Sequence, residues 1–417
     1  MRTYFSKIVA VMILLISFSL NNAADANNFL GSWRRVADFS GTARQYAVGF
    51  SIDTLGYLGL GADSAGLPND FWSYSPLMNT WNPIAPFPYN GRTSAISFSN
   101  DSFGFVGMGM DTFYFRSDLI QYYPTLNTWI YDSSLPGSAG ARTEAVGFAI
   151  GNTGYVTTGV GGASSYYNDL IQYDMQTNTF TLLSPVGSLP NPRFGATGFS
   201  LNGKGYMGTG IDDSTYYNDF WQYDPVNNAW TQLADFAGTP RFGAVSFTTC
   251  GYGYIGLGED LNSTYRQDFW RYDPANNSWT FVNHFPGSGR RSAVAFKVNN
   301  KAYVGTGWDG SGRTKDVYEF SCDSTTGIAS IQQNNTATNI FPNPNNGNFE
   351  MSYDLNGSAS GELLLTDVTG KTIATYQLSS AKNILKINQT NLKNGIYFYS
   401  IKTSDKTIAF GKFSVIK

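Results

Sequence analysis

Apolar and polar positions alternate along DFWQYD at 219–224, and the same alternation returns in DFWRYD at 268–273 and DFWSYS at 70–75. A period of two over a short run marks a strand with one buried face. After the first two stretches comes a short polar turn, PVNN or PANN, and then a tryptophan. Upstream lie short apolar runs rich in β-branched and aromatic residues: AVGFSI, AVSFTT and AVAFKV. Each is followed by a tight turn and, in most copies, a Gly–aromatic run: GYLGLG at 56–61, GFVGMG at 104–109, GYMGTG at 205–210 and GYIGLG at 253–258. The pattern predicts a unit of four short antiparallel strands.

The unit repeats. An Asp opens the aromatic stretch at Asp70, Asp118, Asp169, Asp219, Asp268 and Asp316, at spacings of 48, 51, 50, 49 and 48 residues. An Arg recurs upstream at Arg44, Arg92, Arg142, Arg193 and Arg241, and in the last copy at Arg290 or its neighbour Arg291, with Arg290 preferred. A four-stranded sheet cannot bury both faces alone, so the copies must stack, and radial stacking closes a ring. An aromatic stands about eleven residues after each Asp, at Trp81, Trp129, Phe180, Trp230 and Trp279, but the sixth place falls on Gly327. Trp33 stands alone before the first Arg, so the strand around it is expected to complete the sixth sheet and leave no open edge.

These elements, over about residues 28–323, resemble the Kelch-repeat β-propellers, with one departure: the usual paired glycines stand here as Gly-x-Gly. The resemblance implies an all-β, six-bladed Kelch-type β-propeller over 27–323. Most members of that family are interaction or carbohydrate-contacting scaffolds, and a minority are enzymes.

The text changes near residue 340. Residues 324–339 are polar and read as a linker. Residues 340–417 hold short alternating strands with turns at Asn345–Gly347, Thr369–Gly370 and Asn394–Gly395, the pattern of a small antiparallel β-sandwich. Pro342-Asn343-Pro344, Asn346-Gly347, Asp367 with Gly370-Lys371, Leu392 to Gly395-Ile396-Tyr397, and the last residues Lys412–Lys417 resemble the C-terminal sorting domain of type IX secretion cargo, the Por secretion system of Bacteroidetes. That resemblance implies contact with the type IX machinery and delivery to the cell surface or the medium. The other reading of this segment is a binding module.

Charge divides the chain in the same place. Residues 27–339 carry 17 Lys+Arg against 24 Asp+Glu, a net of −7, and residues 340–417 carry 8 against 5, a net of +3. No basic patch of the nucleic-acid-binding kind is present, so no nucleic acid is expected as partner. At the start, Arg2 and Lys7 precede the apolar run Ile8–Leu20 and the small residues Ala23, Ala24 and Ala26, which predicts a signal peptide over 1–26. No other stretch is apolar for long enough to cross a bilayer, so no transmembrane segment is expected in the mature chain. Cys250 follows the first strand of the fifth copy and Cys322 the third strand of the sixth. Both fall on the rim opposite the variable loops, where a bridge and two separate thiols are both open.

Repeated residues are a poor choice for a single active site. Arg44, Arg92, Arg142, Arg193, Arg241 and Arg290, with Asp70, Asp118, Asp169, Asp219, Asp268 and Asp316, therefore read as blade supports, because buried charges persist when paired. Variation is concentrated between the second and third strands: ADSAGLPN, MDTFYFRS, GGASSYYN, IDDSTYYN, EDLNSTYRQ and WDGSGRTK. Variable loops on a fixed scaffold are where ligand contacts are expected. They supply Asp63, Asp111, Asp212, Asp260 and Asp309, with Gly161 in the remaining place, together with Tyr114, Tyr166, Tyr216, Tyr265, Trp308, Arg116, Arg266 and Arg313. Aromatic faces with carboxylates and guanidinium groups suit a carbohydrate or protein ligand. The alternative is that each Asp caps its own loop.

Signals of catalysis are few. His284 is the single histidine, which excludes a His-ligated zinc or copper centre, and no nucleophile-elbow sequence accompanies it. No cofactor and no metal are expected. The expected role is an exported binding scaffold. Two alternatives remain: a sugar-directed enzyme, for which the six-bladed Kelch sialic-acid mutarotases are the nearest analogy, and a structural or adhesive surface protein.

Overall fold

The computed structural model describes residues 31–322, 338–355, 357–368, 370–403 and 407–417. The expected signal peptide, and all of the expected linker except its last two residues, lie outside the described residues. The chain divides into two compact units between Ser324 and Thr325.

The first unit contains six four-stranded antiparallel sheets. The first is built from Val48–Ile52, Leu55–Gly59, Phe71–Ser75 and Thr80–Pro83. In the last, Val294–Val298, Lys301–Gly305 and Val317–Ser321 are joined by Ser32–Arg35, which pairs Trp33 with Phe320. The first strands of successive sheets touch in series, and Val294–Val298 returns to Val48–Ile52. They enclose a central channel of about 220 Å³, lined by the same three positions of every sheet, from Ala47-Val48-Gly49 to Ala293-Val294-Ala295.

Two devices seal sheet to sheet. Each first strand carries a Phe that stacks on an aromatic of its own second strand, as Phe50 does on Tyr57 at 5.1 Å. The next sheet must then receive that Phe at close range. A Cβ added to Gly104 would lie 2.2 Å from the Phe50 ring, and one added to Gly56 would lie 2.0 Å from Phe296. The glycine of the Gly–aromatic pair is therefore a demand of close approach. In the second device, Tyr74, Tyr122, Tyr223 and Tyr272 donate to the Oδ1 of Asn79, Asn127, Asn228 and Asn277. Three of these Asn oxygens also accept a backbone N–H from the preceding blade connection, at Ala37, Ala85 and Ala234. The carbonyls of the same three alanines accept from Trp81, Trp129 and Trp279. Trp33 instead lies among Phe247, Phe269, Phe285 and Phe320, with ring centroids 4.9–6.2 Å away.

Cys250 and Cys322 are joined in a disulfide, with a Cα–Cα distance of 6.3 Å. Of the two readings left open by the sequence, this is the bridge between adjacent blades. It closes a 72-residue separation, worth about 4 kcal/mol on the chain-entropy account.

The second unit is a pair of antiparallel sheets. One has Asn339–Phe341, Asn348–Ser352 and Ile384–Asn388, and the other Thr372–Ser379, Ser360–Thr366, Gly395–Lys402 and Thr407–Val415. Phe349, Met351 and Ile387 from the first share a core with Leu363, Leu365, Ile401 and Phe413 from the second. No helix among the described residues is long and apolar enough to cross a membrane.

Candidate functional site

The repeated charges form a layer just outside the channel. All six Arg side chains, Arg44, Arg92, Arg142, Arg193, Arg241 and Arg290, are buried. Each holds the Asp of its own copy through both terminal nitrogens, as Arg241 does Asp268 at 2.7 and 2.8 Å. Each also donates Nη1 to a carbonyl sixteen residues on, Leu60, Met108, Thr158, Thr209, Leu257 or Thr306, at 2.9–3.2 Å. An aromatic ring covers every guanidinium at 3.7–5.1 Å. In four copies that ring lies five residues before the Arg, at Phe39, Phe87, Phe236 and Phe285; in the other two, Tyr167 and Tyr217 replace it from the variable loop. Every ion pair is therefore within a blade, and its remaining donors are satisfied mostly by backbone.

Two residues beyond each Arg the chain turns left-handed: Tyr46, Ser94, Glu144, Gly195, Gly243 and Ser292 have φ of 52–62°. Their backbones bond to one another in a closed circle. Ser94 N donates to Tyr46 O at 3.1 Å, Glu144 N to Ser94 O at 3.1 Å, and Gly195 N to Glu144 O at 3.1 Å. Gly243 N then donates to Gly195 O at 2.9 Å, Ser292 N to Gly243 O at 2.8 Å, and Tyr46 N to Ser292 O at 2.9 Å. The circle rims the channel at the end where the variable loops emerge, since the channel-lining alanines follow it directly in sequence.

The backbone of this rim is repeated, but its side chains are not. Glycine at 195 and 243 leaves one sector without side chains. A Cβ on Gly195 would come within 3.2 Å of Glu144 Oε2 and 3.2 Å of the Phe242 ring, so the carboxyl leans over that gap. Phe194 and Phe242 are neighbours at 6.5 Å; Tyr166 stacks on Phe194 at 5.6 Å, and Tyr216 meets Phe242 edge-on at 6.0 Å. The Arg291 guanidinium lies over Phe242 at 5.1 Å and contacts Glu259 at 2.8 Å. Burial pushes the Glu144 carboxyl up to about 7, against the opposing pull of Arg291. No hydrogen bond reaches that carboxyl among the described residues. Elsewhere on this face Gln45 Oε1, Arg291 Nε and Arg313 Nε are buried without hydrogen-bond partners, and Glu259 Oε2 meets Arg291 as an ion pair at 2.8 Å but accepts no hydrogen bond.

The loop carboxylates are placed differently. Asp63, Asp111, Asp212, Asp260 and Asp309 each accept two backbone N–H groups of their own loop on Oδ1. Their Oδ2 atoms are taken by Thr42, Arg116, Tyr217, Arg266 and Ser288 respectively. Burial raises Asp111, but the Phe113 and Tyr114 amides and Arg116 outweigh it and hold the group at about 2. Asp309 is likewise held at about 2: burial again opposes, and Ser311, Gly312 and Ser288 prevail. Of the loop residues singled out in the sequence, Tyr166 and Tyr216 reach the rim aromatics, and Trp308 pairs with the Arg291 backbone while its ring lies 5.7 Å from the Arg313 guanidinium. Tyr265 packs against Gly310, whose added Cβ would meet it at 2.7 Å. Arg266 is spent on Asp260, and Tyr114 with Arg116 stays on its own loop, Tyr114 being 65% exposed.

The rim residues Gln45, Tyr46, Glu144, Phe194, Phe242, Glu259 and Arg291 were not among the sequence candidates. A signal for most of them was present. Every repeated Arg is followed three places later by Ala, and the two residues between read QY, TS, TE, FG, FG and RS. That pair varies as strongly as any loop.

Residues 133–254 match the KLHDC2/KLHL20/DRC7 Kelch-repeats domain family, and residues 339–416 match the secretion system C-terminal sorting domain family, Por_Secre_tail. No curated protein matches the sequence. The Kelch match falls on the third to fifth copies, including Glu144, Gly195 and Gly243, and the sorting match covers the described sandwich from its first strand. Kelch repeats of this kind point to an interaction propeller, and the tail indicates export through the type IX machinery to the cell surface or medium. The chain carries a Kelch-repeat β-propeller followed by a type IX secretion C-terminal sorting domain.

Proposed function

We propose that this is an exported binding protein whose propeller recognises a carbohydrate at the rim of the channel, with the variable loops framing the ligand. One observation carries the reading: buried donors and acceptors without hydrogen-bond partners occur on the rim and the loops above it, the same face as the rim aromatics. Buried polar groups are nearly always hydrogen-bonded, so such atoms call for a partner from outside the fold. Here both acceptors (Gln45 Oε1, Glu259 Oε2) and donors (Arg291 Nε, Arg313 Nε) are present, and the Glu144 carboxyl adds an acceptor that no described residue bonds. A hydroxyl both donates and accepts, so a polyhydroxyl ring satisfies both sets, and its apolar face suits the half-buried rings of Tyr166, Phe194 and Tyr216. A glycan array probed with the full chain tests this. Binding should fall about tenfold or more in Phe194→Ala, the range expected for an aromatic anchor. The absence of any glycan ligand would sink the reading, and sugar turnover in a mutarotation assay would replace it with the enzymatic one.

A second reading, a protein ligand, is favoured by the second variable loop. There Phe113 is 74% and Tyr114 65% exposed, beside the 38% exposed Met110. Lone exposed apolar residues are ordinary, but three on one loop tip form a patch of the kind used for protein contact.

A further inference from the structure

We propose that the Glu144 sector of the rim takes the protonated amine of an amino sugar, so that the protein selects glycans carrying free ammonium groups over neutral or N-acetylated ones; this rests on the carbohydrate reading above.

The argument starts from the balance of charge at the rim. Glu144, Glu259 and Arg291 are the charged groups whose fields reach Tyr46 on the circle. Two carboxylates thus face one guanidinium. Arg291 is already committed, at 2.8 Å from Glu259 and over the face of Phe242. Glu144 is left without an ion-pair partner within reach and without a hydrogen bond to its carboxyl among the described residues. An ionised carboxylate taken out of water is costly unless a cation or donors accompany it. Every loop carboxylate on the same face has such company, as Asp111 has in Arg116 and Asp260 in Arg266.

Space is the second part. Glu144 leans over Gly195, where any side chain would crowd its Oε2. Gly243, the next member of the circle, likewise carries nothing into the opening. The gap is therefore bounded by a carboxyl on one side and by the Phe194 and Phe242 rings on another. A carboxylate beside aromatic faces is the surrounding an ammonium group prefers, because the ring quadrupole and the charge act together. A sugar at the gap, resting on the aromatics, would present its ammonium to Glu144.

Glu144 is half protonated near pH 7 because burial disfavours its charge. Arrival of a cation favours the ionised form, so binding should expel a proton. Affinity should pass through a maximum near neutral pH, because it needs Glu144 ionised and the sugar amine protonated.

The test uses the full chain with two probes of equal length, a glucosamine hexamer and its N-acetylated counterpart, measured by titration calorimetry in two buffers of different ionisation enthalpy. The expected result is about tenfold or greater preference for the free amine, with proton release, and loss of that preference in Glu144→Gln. Equal binding of both probes by the unaltered protein, or a preference that survives in Glu144→Gln, would overturn the inference and leave the carbohydrate reading standing. No binding of either probe, together with an empty glycan array, would remove both. If Glu144→Gln does not fold, Gly195→Ser tests the same point from the other side: Ser94 and Ser292 hold the same left-handed turn in other copies, and the added side chain crowds Glu144 Oε2, so the free-amine preference should weaken there as well.

Discussion

Two circles of residues, one beside the other, run round the propeller. The Arg–Asp layer uses the same side chains six times: a buried guanidinium, a bidentate carboxylate, a carbonyl sixteen residues on and an aromatic cover. The rim two residues further along uses the same backbone six times, but its side chains are Tyr, Ser, Glu, Gly, Gly and Ser. In the layer every guanidinium holds its carboxylate, and Arg92 Nε is the one guanidinium donor left unpaired among the described residues, whereas at the rim Arg291 Nε and Gln45 Oε1 are left unpaired. Repetition in side chains marks what a blade needs in order to stand. Repetition in backbone alone leaves the side chains free to differ, and a ligand site can be built there.

The largest effect expected from breaking this contrast is in the layer. Arg241→Met should cost about 3–5 kcal/mol, because it strands a mostly buried Asp268 carboxylate. Arg44→Met should cost less, since the side chain of Asp70 is 37% exposed against 17% for Asp268. Urea unfolding of the two variants measures both, and equal losses would show that the layer does not work through buried charge. Next in size is the bridge. Reducing Cys250–Cys322, or replacing both with Ser, should lower stability by about 2–4 kcal/mol and leave ligand affinity unchanged, since the bridge lies at the opposite rim.

The loop carboxylates and the rim also part in their response to pH. Asp111 falls from an ordinary 3.8 to about 2 on folding. Its contribution is fully present above pH 3.8 and is lost as pH drops towards 2, so Asp111→Asn should destabilise at pH 7 by roughly 1–2 kcal/mol and have little effect at pH 2. Glu144 rises from 4.5 to about 7 on folding. Between those values the folded protein binds the extra proton, so its stability declines as pH rises from 4.5 through 7. Glu144→Gln should therefore gain on the order of 1 kcal/mol at pH 8 and nothing at pH 4. Paired thermal scans at the two pH values read the sign directly. A loss at pH 8 would mean that Glu144 has a structural partner.

The sheets, their order and the support role proposed for the Arg and Asp series follow from periodicity, because close packing and ring geometry leave the same residues no freedom in any copy. Gly56, Gly104 and Gly205 announce a close approach even before the neighbouring Phe is seen. The rim was harder to read. Attention to variable loops brought Tyr166, Tyr216, Trp308 and Arg313 to the page, but the loop carboxylates prove to be engaged in shaping their own turns. Glu144 and Arg291 lie in a two-residue gap inside an otherwise regular repeat. Nothing local says that such a gap faces a channel; only the closure of the ring brings copies three and six into each other's field.

The most direct test of the account is a crystal structure of the full chain with a glycan found on the array. The account predicts the sugar on the rim, in contact with Phe194 and Glu144 and covering Gly195 and Gly243. A sugar bound at the opposite mouth, among Asp53, Asn100, Asp101 and Asn152, or on the outer strands, would contradict it.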